Sequence, residues 1–312
     1  MKDKIVIGID LGGTKIMVGA VTQNGDVLGE PIKVLTGGNE SSNKIIKRIT
    51  DAVESVLKDL NVTIADVLGI GIGSTGPLNM NDGIILECPQ LPTMHFFPLR
   101  ETIENYFNVP VTMNNDANCL IYGETIFGIA SDKKNVVGFT LGTGIGCAII
   151  LNKKILNGAT GTAGEIWPSP YRSGSIEDYI SGKGVSKIHR SISGKTSSSD
   201  AIMALAENGD ENAIKTWEEF GKHLAVPIAW SINIIDPELI VLGGSISNAH
   251  PFFMPSLEKE LRKHLCPEPS KKTKVVIAEL GDYAGFIGAA CLVTENLEQL
   301  NGQLKKTQIQ NS

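Results

Sequence analysis

The chain has 312 residues, 42% of them hydrophobic, and a formal net charge of −6. Because single hydrophobic cores tend to divide beyond about 250–300 residues, this length predicts two domains. Charges of both signs are interspersed, without the basic face that nucleic acid or anionic lipid requires, so neither partner is expected.

Cysteine usage and the N-terminus both favour a cytosolic protein. The five cysteines are scattered, and most lie in apolar runs, which is typical of reduced core thiols. The first four residues lead straight into a strand-like segment, and no apolar run approaches the ~20 residues of a membrane span. We therefore expect a soluble, cytoplasmic protein without a disulfide framework.

The N-terminal segment combines a buried strand with a glycine-rich turn. The apolar run from Ile5 to Ile9 predicts a strand buried on both faces, and it ends at Asp10. In the first glycine turn, Asp10 to Lys15, glycine removes the Cβ that would keep a phosphate away from backbone N–H groups. An ordinary glycine hairpin is the alternative. Further strands are predicted from Lys15 to Val21 and from Val27 to Lys33, so three antiparallel strands begin the chain.

The next segment contains a second buried strand and a misleading glycine motif. Apolar residues recur every three or four positions between Ser41 and Leu60, which predicts an amphipathic helix on the sheet. A strand from Val67 to Ile72 runs into Gly71 to Gly76, which fits the dinucleotide pattern G-x-G-x-x-G. That pattern requires a helix at its end, whereas a proline and a predicted hairpin follow here. We interpret this segment as a loop that brings Ser74 or Thr75 near a ligand.

The segment from Val109 to Asn118 is an apolar run that ends in amides and one carboxylate, before a helix predicted from Ala117 to Phe127. Asp116 or Asn115 could simply cap this helix. Glycine-rich turns before and after the segment favour another role. We therefore interpret Asp116 as a general base for a hydroxyl group, with a nucleotide held by those turns.

A second glycine turn, Leu141 to Cys147, repeats the arrangement of the first. A strand is predicted from Asn135 to Leu141, and another continues from Cys147 to Leu151. Strand, glycine turn and strand thus occur once in each half of the chain. This repetition predicts an internally duplicated nucleotide cleft.

Two acidic residues follow in positions where either a structural or a binding role is possible. Glu165 lies in a loop of small residues, and Glu177 begins a helix predicted through Ser181. They could be surface groups or helix caps. Alternatively, carboxylates of this kind accept hydrogen bonds from adjacent sugar hydroxyls.

The C-terminal part predicts a long helix, a core strand and a closing helix. The helix spans Glu211 to Ile235, and the closing helix spans Ala284 to Val293. Between them, the strand that begins at Leu239 ends in Gly243 and Gly244, whose exposed backbone suits a flat adenine or ribose.

Six segments, taken in order, resemble the ROK family of sugar kinases and repressors, and the resemblance spans almost the whole chain. The segments are Asp10–Lys15, Asn115–Asn118, Leu141–Gly146, Gly164–Ile166, Asp236–Gly244 and Ala284–Ala289. The resemblance implies an α/β, ribonuclease-H-like (actin/hexokinase) ATPase fold of two domains around a central cleft. ATP and Mg²⁺ would bind on one side and a hexose on the other. The expected domains are 1–117 plus 287–312, and 118–286.

The resemblance also implies roles for single residues. Asp116 would be the base, Asp10 would lie near the metal-bound phosphates, and Thr75, Asn115, Glu165 and Glu177 would serve the sugar. The nucleotide would be lined by Gly12, Gly13, Thr14, Lys15, Thr143, Gly144, Gly243 and Gly244.

The loop after Ile166 departs from the family pattern. Many members carry a histidine and then a cysteine-rich zinc loop here, whereas residues 167–177 contain neither cysteine nor histidine. A tetrahedral zinc site needs such ligands, so we expect no structural zinc. The missing histidine and Thr75, where a proline is common, leave the identity of the sugar open.

The expected function is ATP-dependent phosphorylation of a hexose to its 6-phosphate by a glucokinase-like enzyme, with a homodimer implied by the family. N-acetylmannosamine, N-acetylglucosamine, allose, fructose or a β-glucoside are alternative substrates. A sugar-responsive repressor is disfavoured because only nine residues precede Asp10, too few for a helix-turn-helix. A nucleotide-binding sensor without sugar transfer is a further alternative.

Overall fold

The structure is a computed structural model that describes residues 4–266, 268 and 270–296; residues 297–312 of the expected first domain lie outside this range. The strands are β1 (Ile5–Leu11), β2 (Lys15–Val21), β3 (Val27–Leu35), β4 (Val67–Ser74), β5 (Leu78–Asn79), β6 (Ile84–Ile85), β7 (Val111–Asn115), β8 (Val136–Leu141), β9 (Ile145–Leu151), β10 (Lys154–Ile155), β11 (Pro170–Tyr171), β12 (Gly174–Ser175), β13 (Leu239–Gly243) and β14 (Lys274–Ile277). The helices are α1 (Ser42–Asp59), α2 (Leu99–Phe107), α3 (Asp116–Ile126), α4 (Glu177–Ile180), α5 (Gly182–Ser193), α6 (Ser199–Glu207), α7 (Glu211–Ile235), α8 (His250–His264) and α9 (284–296).

The described residues form two compact units. The first unit contains the residues up to Gly128, the short segment Gly158–Gly161 and the residues from Asp282 onward. The second unit contains Ile129–Asn157 and Thr162–Gly281. Both α3 and α9 therefore belong to the first unit.

The first unit is built on a mixed sheet with the strand order β3-β2-β1-β4-β7. Strands β1, β4 and β7 are parallel, whereas β2 and β3 are antiparallel to their neighbours. Helix α1 buries the apolar stripe that the sequence predicts, including Ile45, Ile49 and Val53. A β5–β6 hairpin follows β4, so no helix opens at the end of the dinucleotide-like glycine motif.

Helix α9 lies directly against the backbone of β1 and β4. A Cβ atom added at Gly8 would overlap the carbonyl oxygen of Phe286, and one added at Gly71 would overlap that of Ala289. Glycine is needed at these two strand positions because the helix backbone occupies the space of a side chain. This close packing brings the first turn of α9 next to the end of β1.

The second unit repeats the topology of the first. Its sheet has the order β10-β9-β8-β13-β14, with β8, β13 and β14 parallel and β9 antiparallel to β8. The predicted duplication of strand, glycine turn and strand is confirmed. Helix α7 supplies the core aromatic residues Trp217 and Phe220, which pack against Phe253 of α8. Of the helices that the structure describes, none combines the length and apolar character needed to cross a membrane.

Candidate functional site

Two carboxylates lie at the carboxyl edge of the first sheet. Asp10 is the penultimate residue of β1 and pairs with Gly73 of β4, while Asp116 directly follows β7. Parallel strands end at the same edge, and this is where ligands of open α/β sheets bind. Gly73 lets α3 begin close to β4, since a Cβ added there would lie 3.6 Å from the Asp116 Cα and 3.1 Å from the Cys119 Sγ.

Asn115, not Asp116, is the N-cap residue of α3. Its Oδ1 accepts hydrogen bonds from the N–H groups of Ala117 at 2.9 Å and Asn118 at 3.4 Å. Asp116 is the first helical residue, and its Oδ1 also accepts from the Ala117 N–H, at 2.8 Å. Asn115 therefore satisfies the capping alternative. A sugar contact by Asn115 would have to come from its Nδ2 atom.

A buried amide pair fixes the junction between β7 and α3. The Asn118 Nδ2 donates to the Asn114 Oδ1 at 2.8 Å, and the Asn115 N–H donates to the same oxygen at 2.8 Å. Asn114 and Asn118 are 5% and 4% exposed. From the sequence, Asn115 was interpreted as a cap or a sugar contact, and the bracing role of Asn114 and Asn118 was not predicted.

Asp10 is held in an environment that disfavours its charge. Burial and the nearby Asp116 carboxylate raise the pKa of Asp10 from 3.8 to about 7, and Lys15 opposes this shift. Gly285 of α9 packs against the carboxyl group, because a Cβ added there would lie 2.8 Å from the Asp10 Oδ2. A strongly raised carboxyl pKa in a site of this kind is typical of functional residues.

The first glycine turn lies next to Asp10. The Gly12 N–H donates to the Lys15 carbonyl at 3.0 Å, which closes the turn, and the Thr75 N–H donates to the Leu11 carbonyl at 3.0 Å. Thr75 is therefore adjacent to the turn, as the loop interpretation requires. The Lys15 Nζ lies 3.7 Å from an Asp282 carboxylate oxygen. Thr14 is exposed at the tip.

The second glycine turn lies at the corresponding edge of the second sheet. Thr143 is exposed there, and the Gly182 N–H at the start of α5 donates to the Gly142 carbonyl at 2.8 Å. The Glu177 Oε2 accepts from the Ile145 N–H at 3.2 Å and lies against Gly144. Glu177, predicted from its position to hold the sugar, thus also braces the turn predicted to hold the nucleotide.

Gly243 ends β13 beside the same turn, and Gly244 directly follows it. Gly243 pairs with Thr140 of β8, and Gly244 has a φ of +84°. A Cβ added at Gly244 would lie 2.8 Å from the backbone nitrogen of Leu141. Both the dihedral angle and the close approach require glycine. The second unit therefore brings its predicted nucleotide residues together.

Glu165 lies in the loop between β10 and β11. Gly164, at a φ of +88°, packs against the Cys147 carbonyl of β9 and fixes the loop. Glu165 is exposed as a whole residue, yet burial around its carboxyl group raises its pKa, and a hydrogen bond with the Trp167 side chain opposes this shift. Trp167 was not among the predicted site residues, although its position two residues after Glu165 indicated that it could lie near the same site.

A hairpin of β11 and β12 occupies the segment where the sequence departs from the family pattern. The Tyr171 hydroxyl lies 3.0 Å from the Nδ1 of the buried His223, and both rings pack against Tyr179 of α4. This aromatic cluster supports the hairpin that leads to Glu177. Within residues 4–266, 268 and 270–296, no group of three or more His, Cys, Asp or Glu side chains could hold a metal ion.

Comparison with known proteins agrees with this geometry. The two sheets with their matching glycine turns form the actin/hexokinase-like ATPase fold. A family model described as "ROK family" matches residues 6–296. The chain belongs to the ROK family.

Relatives and a solved structure match over nearly the full length. A glucokinase of Halalkalibacterium halodurans is 28% identical, covering 95% of this chain and 96% of the relative. An N-acetyl-D-glucosamine kinase of Photobacterium profundum is 28% identical over 91% of this chain and 98% of the relative. The crystal structure of a ROK family glucokinase from Streptomyces griseus, in complex with glucose and AMPPNP, is similar with a TM-score of 0.79 and 27% identity, covering 92% of this chain and 98% of that one.

Proposed function

We propose that the chain is an ATP-dependent sugar kinase that transfers a phosphoryl group to a hexose, with a glucose-like sugar as acceptor and a sugar 6-phosphate as product. The observation that carries the proposal is the placement of Asp116 at the same sheet edge as the half-buried Asp10, beside the first glycine turn. The glucokinase relative and the structural match to a glucokinase with glucose and AMPPNP support it.

Asp116 is the proposed general base. It would accept the proton of the sugar hydroxyl as that oxygen attacks the γ-phosphorus, while the bond from phosphorus to the bridging oxygen of ADP breaks. The residues proposed to contact the nucleotide are those of the two glycine turns together with Gly243 and Gly244. Their backbone N–H groups would stabilise the charge on the transferring group.

The residues around Asp10 fit a magnesium ion. A buried carboxyl group with a pKa of about 7, next to a second carboxylate, gains from a compensating cation. Mg²⁺ is usually held by one or two carboxylates, water and substrate phosphates, so it needs no larger cluster of side chains. Asp10 would hold this ion, which would supply charge neutralisation at the phosphates.

Thr75, Asn115, Glu165 and Glu177 are the proposed sugar-binding residues. Carboxylates, which form charge-assisted hydrogen bonds, and neutral amides and hydroxyls can discriminate between patterns of sugar hydroxyls. Because one relative is an N-acetyl-D-glucosamine kinase, N-acetylhexosamines are alternative acceptors for this chain. We also propose that the protein is cytosolic and forms a homodimer. Size-exclusion chromatography with light scattering would measure the molar mass and so test the homodimer.

A coupled assay of ADP release tests the proposal. It is run with ATP and Mg²⁺, with and without glucose, N-acetylglucosamine, N-acetylmannosamine, allose, fructose and a β-glucoside. A kinase releases ADP only with its sugar. A nucleotide-binding sensor would release ADP at a rate that does not depend on sugar, and a sugar-responsive regulator would bind sugar without releasing ADP; either result would refute the proposal.

A further inference from the structure

Trp167 is a large aromatic side chain that is exposed to solvent close to Glu165. It is 46% exposed, although an indole is among the largest apolar surfaces that a protein can bury. Of the other two tryptophans, Trp217 is 1% exposed in the core, whereas Trp230, on α7, is 39% exposed. Trp167 is the one next to the proposed sugar-binding carboxylates.

Trp167 is tied to both of these carboxylate residues. Its side chain hydrogen-bonds the Glu165 carboxyl group. Its carbonyl oxygen accepts a hydrogen bond from the Glu177 N–H at 3.2 Å. The same residue therefore helps to set the direction of the Glu165 carboxylate and the start of α4.

The backbone around Trp167 is held by a series of turns. The Ile166 N–H donates to the Gly164 carbonyl at 2.7 Å, and the Ser169 N–H donates to the Ile166 carbonyl at 3.0 Å. The Ile176 N–H donates to the Ser169 carbonyl at 3.0 Å and closes the loop onto α4. The indole is thus presented on a fixed loop.

We propose that Trp167 is a specificity-determining residue that contacts the sugar through its indole face. This inference rests on the proposed function. A pyranose ring has an apolar face of C–H groups, and these carry partial positive charge that the negative face of an aromatic ring attracts. Glu165, held by the indole N–H, would accept a hydrogen bond from a hydroxyl at the rim of the same ring. Trp167 and Glu165 together would select sugars with a continuous C–H face, such as β-glucose.

Trp167→Ala, Trp167→Phe and the matched control Trp230→Phe test the proposal. The sugar is the one in the panel above with the highest kcat/KM. We expect Trp167→Ala to raise the KM for sugar by about tenfold or more, with kcat changed less and the KM for ATP unchanged. Trp167→Phe keeps an aromatic face and should recover part of the loss.

Tryptophan fluorescence during sugar titration gives a readout besides activity. Wild type and Trp230→Phe should show a saturable change with sugar, and Trp167→Phe should lose it. Equal thermal midpoints of the three proteins would show that they are folded alike.

The outcomes separate this inference from the proposed function. Sugar-dependent ADP release by wild type, with an unchanged sugar KM in both Trp167 variants, would overturn the inference and leave the kinase intact. Higher KM values for sugar and ATP together, or a loss of kcat alone, would also overturn it, since they indicate a structural role for Trp167. Absence of sugar binding and sugar-dependent ADP release in wild type would overturn both.

Discussion

Acid conditions should destabilise the second unit through His223. The residue is 3% exposed, and its Nδ1 lies 3.0 Å from the Tyr171 hydroxyl. Burial lowers the pKa of His223 from 6.5 to about 4, with Arg172 and Lys222 adding to the shift and Glu219 opposing it. The folded chain therefore keeps the imidazole neutral under conditions where the unfolded chain protonates it.

The sign and the size of the effect follow from these values. Well above a pH of about 6.5 the group is neutral in both states, so its contribution to stability is fully present. As the pH falls toward the folded pKa of about 4, only the unfolded chain takes up the proton and stability is lost. Between about pH 7 and about pH 5 the loss is about 2 kcal/mol in the free energy of unfolding.

Urea unfolding of wild type and His223→Gln measures this effect. Glutamine offers a hydrogen-bond partner to Tyr171 but does not titrate, so the other ionisable groups cancel in the comparison. We expect wild type to lose about 2 kcal/mol more than the variant over that pH interval. Equal losses in the two proteins would refute the reasoning about His223.

The remaining predictions concern the first unit. Asp116→Asn should lower turnover by about 100- to 10,000-fold in the coupled assay, because it removes the proposed base; near-normal turnover would exclude that role. Asp10→Asn should raise the thermal midpoint of the ligand-free chain at about pH 8 by at least ~2–4 °C, because charging a carboxyl whose pKa folding raises to about 7 costs stability as the pH rises. A lower midpoint at that pH, or a gain that persists at about pH 4, would contradict this account. Gly71→Ala should destabilise the chain by about 1–3 kcal/mol or more in urea unfolding, since the added methyl group would overlap the Ala289 carbonyl of α9; an unchanged midpoint would show that α9 can move away without cost.

The fold could be predicted from the sequence because its signals are local and repeated. Apolar runs predicted the buried strands, and β2 and α7 match their predicted bounds, Lys15–Val21 and Glu211–Ile235. Other strands extend further than predicted, such as β4, which continues to Ser74. Strand ends follow pairing partners, and a single sequence does not contain the register of its neighbours.

The candidate site was only partly accessible from the sequence. The order of motifs was enough to select Asp10, Asp116 and both glycine turns, and the structure places each of these at the carboxyl edge of its own sheet. The choice of cap was not accessible, because Asn115 and Asp116 both carry a side-chain oxygen that can accept from helix N–H groups, and only the backbone conformation decides which of them stands at the N-cap position. The contact of Glu177 with the second glycine turn was also missed, because the two lie more than 30 residues apart in the sequence.

The sequence by itself determined which segments are strands, helices and glycine turns, and therefore the family and the duplicated sheet, because periodicity and glycine spacing act between neighbours along the chain. Only the tertiary structure decided the environment of each functional group. The pKa of Asp10 depends on burial and on Asp116, more than 100 residues away in the chain. The raised pKa of Glu165 likewise depends on the burial of its carboxyl group in the folded chain. Desolvation and charge interactions act through space, so they exist only once distant segments have been packed together.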